Sequence, residues 1–292
     1  MRFHQQPNVY VNHVHLLISD LSRSVTFYTN ILGFNILERN ERRATLTTDG
    51  KTALITLEQP KNVLPKAQRT TGLYHFAILV PDRPALARVL LHLLRNNYPL
   101  QGASDHLVSE AVYLADPDGN GIEIYVDRPA ETWKWEDDQV LMATLPLDVD
   151  SLLAEAGVEA FTILPRQTIL GHLHLHVADL EAAKEFYCGG LGFDVVSHYG
   201  DQALFISYGG YHHHIGLNIW NGIGAPEPPR NSVGLKWYTL RFPDEATRTL
   251  AIERLQSIGA EVGKLGSEHF TKDPSGNLIK LTTEPNAYIF DA

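Results

Sequence analysis

The chain of 292 residues contains a single cysteine, Cys188, so no disulfide can close within it, and it suits a reducing compartment. It has no apolar run approaching the roughly 18 residues that a membrane helix needs. The segment Met1 to Tyr10 is polar and lacks the apolar stretch of a secretory signal. No stretch is rich in Lys or Arg and the formal net charge is −10, which argues against a surface built to neutralise phosphates. These absences set aside disulfide scaffolds, helical membrane proteins and nucleic-acid binders. The expectation is a soluble, cytoplasmic protein without a membrane or nucleic-acid partner; whether it forms a homo-oligomer is left open. The rest of the composition, 44% hydrophobic and 20% charged, is ordinary for a globular chain. Its length suits about two domains with a core that needs no staple.

Histidine breaks this ordinariness. The chain has 14, and they bunch at His172, His174 and His176 and again at His212, His213 and His214. Such tracts are either metal sites or hydrogen-bonded polar clusters.

Internal repetition organises the chain. His13-Val-His-Leu-Leu-Ile-Ser-Asp20 is followed by Phe27-Tyr28 and Leu32-Gly33-Phe34; His172-Leu-His-Leu-His-Val-Ala-Asp179 is followed by Phe186-Tyr187 and Leu191-Gly192-Phe193. The landmarks are displaced by 159 residues throughout, from His13 to His172, Asp20 to Asp179 and Phe34 to Phe193. A second pair matches Gly72-Leu-Tyr-His75 with Gly234-Leu-Lys-Trp237, and Asp116-Pro-Asp-Gly-Asn120 with Asp273-Pro-Ser-Gly-Asn277. His13 to Asp20, His75 to Asp82, His172 to Asp179 and Trp237 to Asp244 each span seven positions. The chain therefore consists of four related modules in two tandem pairs.

Local pattern gives each module its shape. Residues 13–18 and 172–177 alternate, with Val14, Leu16 and Ile18 on one face and His13 and His15 on the other, which predicts a strand. Asp20 and Asp179 suit a helix N-cap, and Leu21 to Ile31 carries helical spacing up to the stop at Gly33. Strand-like runs follow at Phe34–Glu38, Arg43–Thr48 and Ala53–Glu58. The second module repeats the order: a strand at Phe76–Val80, a helix near Ala85–Asn96, then strands at Ala111–Leu114 and Ile122–Val126, the last two joined by the Asp-Pro-Asp-Gly-Asn turn. One unit reads βαβββ. From Asp127 to Gly171 the repeat is silent apart from a helix expected around Asp148–Ala156.

This ordered set, His-x6-Asp, Phe-Tyr, Leu-Gly-Phe, a second His-x6-Asp and Asp-Pro-Asp-Gly-Asn-x-x-Glu, resembles the vicinal oxygen chelate superfamily of glyoxalases and extradiol dioxygenases, and is similar to catechol 2,3-dioxygenases. Each signature alone is weak; their order over about 240 residues is specific. The resemblance implies an α+β fold of four βαβββ modules in two glyoxalase-like domains, with mixed sheets curled into cups. The boundaries expected are 8–128 for modules one and two, 129–167 for a linker with a short helix, and 168–284 for modules three and four.

The resemblance also implies a divalent metal inside a cup, held by first-strand histidines and a last-strand glutamate. Carried over by position, module two supplies His75 and Glu123, whereas module four has Trp237 and Lys280 at those places. Indole cannot ligate and an ammonium repels a dication, so one complete site is expected. Its third ligand is His13 if neighbouring modules pair, or His172 if modules two and three pair across the long linker; the linker favours His172. Two histidines and one carboxylate suit Fe(II), with Mn(II), Ni(II) or Zn(II) as alternatives. Tyr113 stands where ring-cleaving relatives carry a substrate-binding tyrosine, and His106 could move protons. His174 or one of His212–His214, which are expected to open the last strand of module three, could support the ligands or touch substrate.

The activity implied is extradiol cleavage of a small aromatic diol by O2. Two other readings stay open: a glyoxalase-like lyase or isomerase using Ni(II) or Zn(II), weakened because Thr56 and Gly216 occupy the places of a second carboxylate, and a metal-free small-molecule (drug) binding protein of the same fold.

Overall fold

The computed structural model describes residues 3–158, 161–266 and 268–284. Module one runs from the strand Tyr10–Leu17 to Ile55–Glu58, module two from Gly72–Leu79 to Gly121–Asp127, module three from Ile169–His176 to Ile215–Asn218, and module four from Gly234–Arg241 to Leu278–Thr282. Each has the order βαβββ, and in each the first strand pairs in parallel with the last.

All four helices begin at the aspartate that spacing singled out. The carboxylates of Asp20, Asp82, Asp179 and Asp244 accept the backbone N–H three residues on, at Arg23, Ala85, Ala182 and Thr247. That contact satisfies a donor the first helical turn leaves open. In modules one and three the helix ends in a π-turn, Phe27–Ile31 and Glu185–Gly190, before a glycine with positive φ, Gly33 or Gly192. The wider turn accompanies burial of two consecutive aromatics, Phe27 with Tyr28 and Phe186 with Tyr187. Both tyrosine hydroxyls then reach the neighbouring module: Tyr28 donates to Asp116 at 3.0 Å and Tyr187 to Asp273 at 2.9 Å. Asp116 also accepts from the N–H groups of Asp118 and Asn120, so its turn is held from both sides.

The modules pair crosswise. One sheet of nine strands joins modules two and three through antiparallel pairing of Gly72–Leu79 with Ile169–His176; the other, of eight strands, joins modules one and four through Tyr10–Leu17 and Gly234–Arg241. The chain segments 8–128 and 168–284 are therefore each shared between the two sheets. The connection that permits this carries a small hairpin, the helix Val149–Ala154, and a two-residue strand, Leu145–Pro146, added to the edge of the nine-stranded sheet.

Two local expectations need correction. Leu100–Asp105 is a strand that alternation did not reveal, because Gln101, Gly102 and Ser104 interrupt any apolar pattern at this sheet margin. His212–His214 precede the last strand of module three, which begins at Ile215; their side chains make ring and carboxylate contacts that hold them in a turn.

Along the first strands one face packs into a core continuous across both sheets, including Val14, Leu16, Phe76, Ile78, Leu173 and Leu175. The histidines occupy the opposite face, inside the cup of their sheet. Among the described residues no helix is long and apolar enough to cross a membrane.

Candidate metal centre

Strand register brings the site together. His172 stands opposite Ala77, and Ala77 stands beside Glu123 on its other side, so the carboxylate and the imidazole flank one small residue. His75 lies two positions before Ala77 and shares its face by the period of two. The result is a cluster in which ligand atoms of His75, Glu123 and His172 all lie within 4.8 Å of one another, each residue buried. Among the described residues it is the one cluster of three or more His, Cys, Asp or Glu arranged in this way.

Within it, Nε2 of His172 is 3.0 Å from Oε2 of Glu123 and hydrogen-bonded to it. Nε2 of His75 is also 3.0 Å from that oxygen, but off the line a hydrogen bond needs, and it is buried without a hydrogen-bond partner. Burial alone would raise the Glu123 carboxyl; His172 and His75 beside it outweigh burial and hold it well below the usual carboxylate range. Burial lowers His172 to about 4 against the pull of Glu123, so at neutral pH this imidazole is uncharged; its Nε2 donates to the Glu123 carboxylate, and a cation held between them would take that proton's place.

These residues fit a divalent cation. Neighbouring donors that each bind an ion at about 2.1 Å at right angles stand about 3.0 Å apart, the spacing here from each imidazole nitrogen to Glu123 Oε2. A buried imidazole nitrogen with no hydrogen bond is costly unless something occupies its lone pair.

His13, the other candidate, belongs to the other sheet, where its Nε2 meets Thr56 Oγ1 at 2.9 Å. Tyr113 stands opposite Glu123 in the sheet, and its ring lies 5.7 Å from that of His75. Burial and the nearby Glu123 charge push its hydroxyl well above 10, so it keeps its proton. His106 contacts Ala143 O through Nδ1 at 2.7 Å and the Tyr113 hydroxyl through Nε2 at 2.7 Å. A carbonyl can only accept, so Nδ1 carries the proton and Nε2 accepts the O–H of Tyr113.

One group escaped sequence reasoning except as a member of a tract. The His213 ring packs 4.1 Å from that of His172, and its Nδ1 lies 2.8 Å from Nδ1 of His212. His212 in turn reaches Asp127 through Nε2 at 2.8 Å, and Tyr211 donates to the same carboxylate at 3.1 Å. With His212 donating to Asp127, its Nδ1 accepts from His213, whose Nε2 is left with a lone pair. Burial first, then His172 and His212, hold His213 uncharged at neutral pH. No local signal could have shown this, because Asp127 and His212 are far apart in the chain.

His174 fills the space of a missing side chain. Gly216 pairs with His174 as Glu123 pairs with Ala77, and a Cβ on Gly216 would lie 2.9 Å from the His174 ring. A second carboxylate would have to stand there.

Comparisons with known proteins give the family and the fold. The model of the Glyoxalase/Bleomycin resistance protein/Dioxygenase superfamily matches residues 10–124 and 169–281, and the chain belongs to that superfamily. A catechol-2,3-dioxygenase of Bacillus subtilis (strain 168) is 47% identical over 276 residues, covering 93% of this chain and 96% of its own length. Among solved structures, a chain from Bacillus subtilis subsp. subtilis str. 168 superposes with a TM-score of 0.64 at 14% identity, covering 94% of this chain and 86% of its own. Glyoxalase I from Zea mays does so with 0.58 at 17% identity, covering 94% and 92%. At such identities the structures speak to the fold alone.

Proposed function

We propose that this protein is an extradiol ring-cleaving dioxygenase acting on a catechol-type diol with O2, with His75, Glu123 and His172 holding Fe(II). The observation that carries the reading is the buried convergence of those three side chains, supported by the 47% identity to a catechol-2,3-dioxygenase over nearly the whole chain. Two imidazoles and one carboxylate on one side leave the other side free, the arrangement that suits Fe(II); Mn(II), Ni(II) and Zn(II) could occupy the same donors. When bound, the ion supplies Lewis-acid and one-electron chemistry that links a diol to dioxygen.

The chain's own groups do the rest. Glu123, ionised beside the two imidazoles, supplies the negative charge that favours a cation over a water molecule. Tyr113, neutral and held by His106, stands opposite Glu123 and would orient a diol by accepting a hydrogen bond from it. His106, with Nδ1 anchored on Ala143 O, accepts the Tyr113 O–H at Nε2 and so fixes the direction of that hydroxyl. His213 presents a second acceptor nitrogen beside His172. Burial of all three donors keeps bulk water from competing for them.

A glyoxalase-like reaction is less well served, since Gly216 has no carboxylate and His174 occupies its space. The test is to load the purified protein with Fe(II), add catechol without oxygen, then admit air. Oxygen uptake with a yellow ring-opened product is expected; neither signal across a range of catechols would refute the reading.

A further inference from the structure

The donors lie at the bottom of an aromatic wall that the proposed ring cleavage does not itself require. Tyr74 is an extra residue in its strand: His174 pairs with His75 and Leu175 with Leu73, leaving Tyr74 unpaired in a bulge. A bulge re-aims a side chain that simple alternation would send to the other face. Tyr74 consequently lies with its ring 5.0 Å from that of His75 and 5.1 Å from that of His174. Trp220 closes against both, 5.2 Å from Tyr74 and 5.2 Å from His174, and Tyr199 continues outward, 6.4 Å from Trp220.

Exposure rises steadily along this path. His174 is 4% and His75 7% exposed, Tyr74 41%, Trp220 43% and Tyr199 61%. The wall thus leads from the buried donors to solvent. The turn that carries Trp220 is anchored: the buried carboxamide oxygen of Asn218 accepts from the Trp220 backbone N–H at 3.0 Å and contacts His176 Nδ1 at 2.7 Å. Half-exposed aromatic rings fixed beside a site are the surfaces on which flat apolar groups stack.

A catechol that directs both oxygens at the donors must point the opposite edge of its ring away from them. That edge carries the 4-position. We infer that Tyr74, Trp220 and Tyr199 receive a substituent at this position, so the protein selects catechols bearing a 4-aryl or bulky 4-alkyl group over catechol itself. This inference rests on the diol-binding reading above and adds the substrate class to it. A substituent at the 3-position, next to a hydroxyl, stays among the buried histidines and gains nothing from the wall.

Anaerobic calorimetric titration of the Fe(II)-loaded protein with catechol, 3-phenylcatechol and 4-phenylcatechol tests it through affinities, without turnover. The wild-type protein binds 4-phenylcatechol more tightly than either of the others. In Trp220→Ala the preference, read as the ratio of the two dissociation constants for catechol and 4-phenylcatechol, falls roughly 3- to 10-fold, the worth of one aromatic contact. Trp220→Phe retains most of it. An unchanged melting midpoint in both variants shows that the turn has kept its fold. If wild type binds catechol but 4-phenylcatechol no better, or if Trp220→Ala keeps the full preference, this inference falls while the ring-cleaving reading stands. If no catechol binds at all, both fall.

Discussion

The two cups have the same strand plan and opposite contents. In the cup of modules two and three, the first strands offer His75 and His172 and the last strand offers Glu123, with Tyr113 opposite it. In the cup of modules one and four, the matching places hold Trp237, His13 and Lys280, with Phe270 opposite Lys280. In the first cup two imidazoles converge on one carboxylate, while in the second the matching groups are paired separately: His13 with Thr56, His15 and Lys236 with Glu58, Lys280 with Glu268. Among the described residues, only the first copy of the plan gathers three metal-ligating side chains. Where a lysine stands in place of the carboxylate, its charge opposes a bound cation.

The comparison breaks most visibly at Glu123. Glu123→Ala removes the only carboxylate of the cluster, and metal content and ring cleavage should both drop by more than about 100-fold, beyond the loss typical of residues that merely support a ligand. A variant that keeps full metal content would place the ion elsewhere. Tyr113→Phe gives the first cup the phenyl ring that the second already has in Phe270. It should lower turnover by about 100-fold with metal content unchanged, measured by oxygen uptake beside elemental analysis.

A smaller effect, shared with the buried histidines of the first cup, is a dependence of stability on pH. Burial lowers His13 to about 3, and His15, despite Glu58, to about 4. The folded state therefore binds fewer protons than the unfolded chain below about pH 6.5, and stability rises with pH across that window. The melting midpoint should fall as pH drops from 7 to 5, and His13→Asn should flatten that slope. A slope identical to wild type would show that His13 titrates freely.

Much of this was legible in the sequence because it is local or repeated. The constant displacement between the halves, the seven-residue step from His to Asp, and the Asp116 turn each depend on a few neighbouring residues, and all four aspartates cap helices as their spacing implies. Two-residue alternation was enough to place His172, His174 and His176 on one face. Crosswise pairing was harder to read, because it depends on which first strands meet, and only the length of the linker hinted at that. The strand Leu100–Asp105 stayed hidden behind its polar residues and Gly102. The Asp127–His212–His213 chain was invisible for a stronger reason: its contacts span 85 positions and rest on the assembled sheet.

The most direct measurement compares His172→Ala with His13→Ala, purified in parallel and assayed for bound metal and ring cleavage. If modules two and three share the one competent site, His172→Ala loses both properties and His13→Ala retains both. Retention in His172→Ala together with loss in His13→Ala would contradict the account, because it would mean that the ion sits between neighbouring modules.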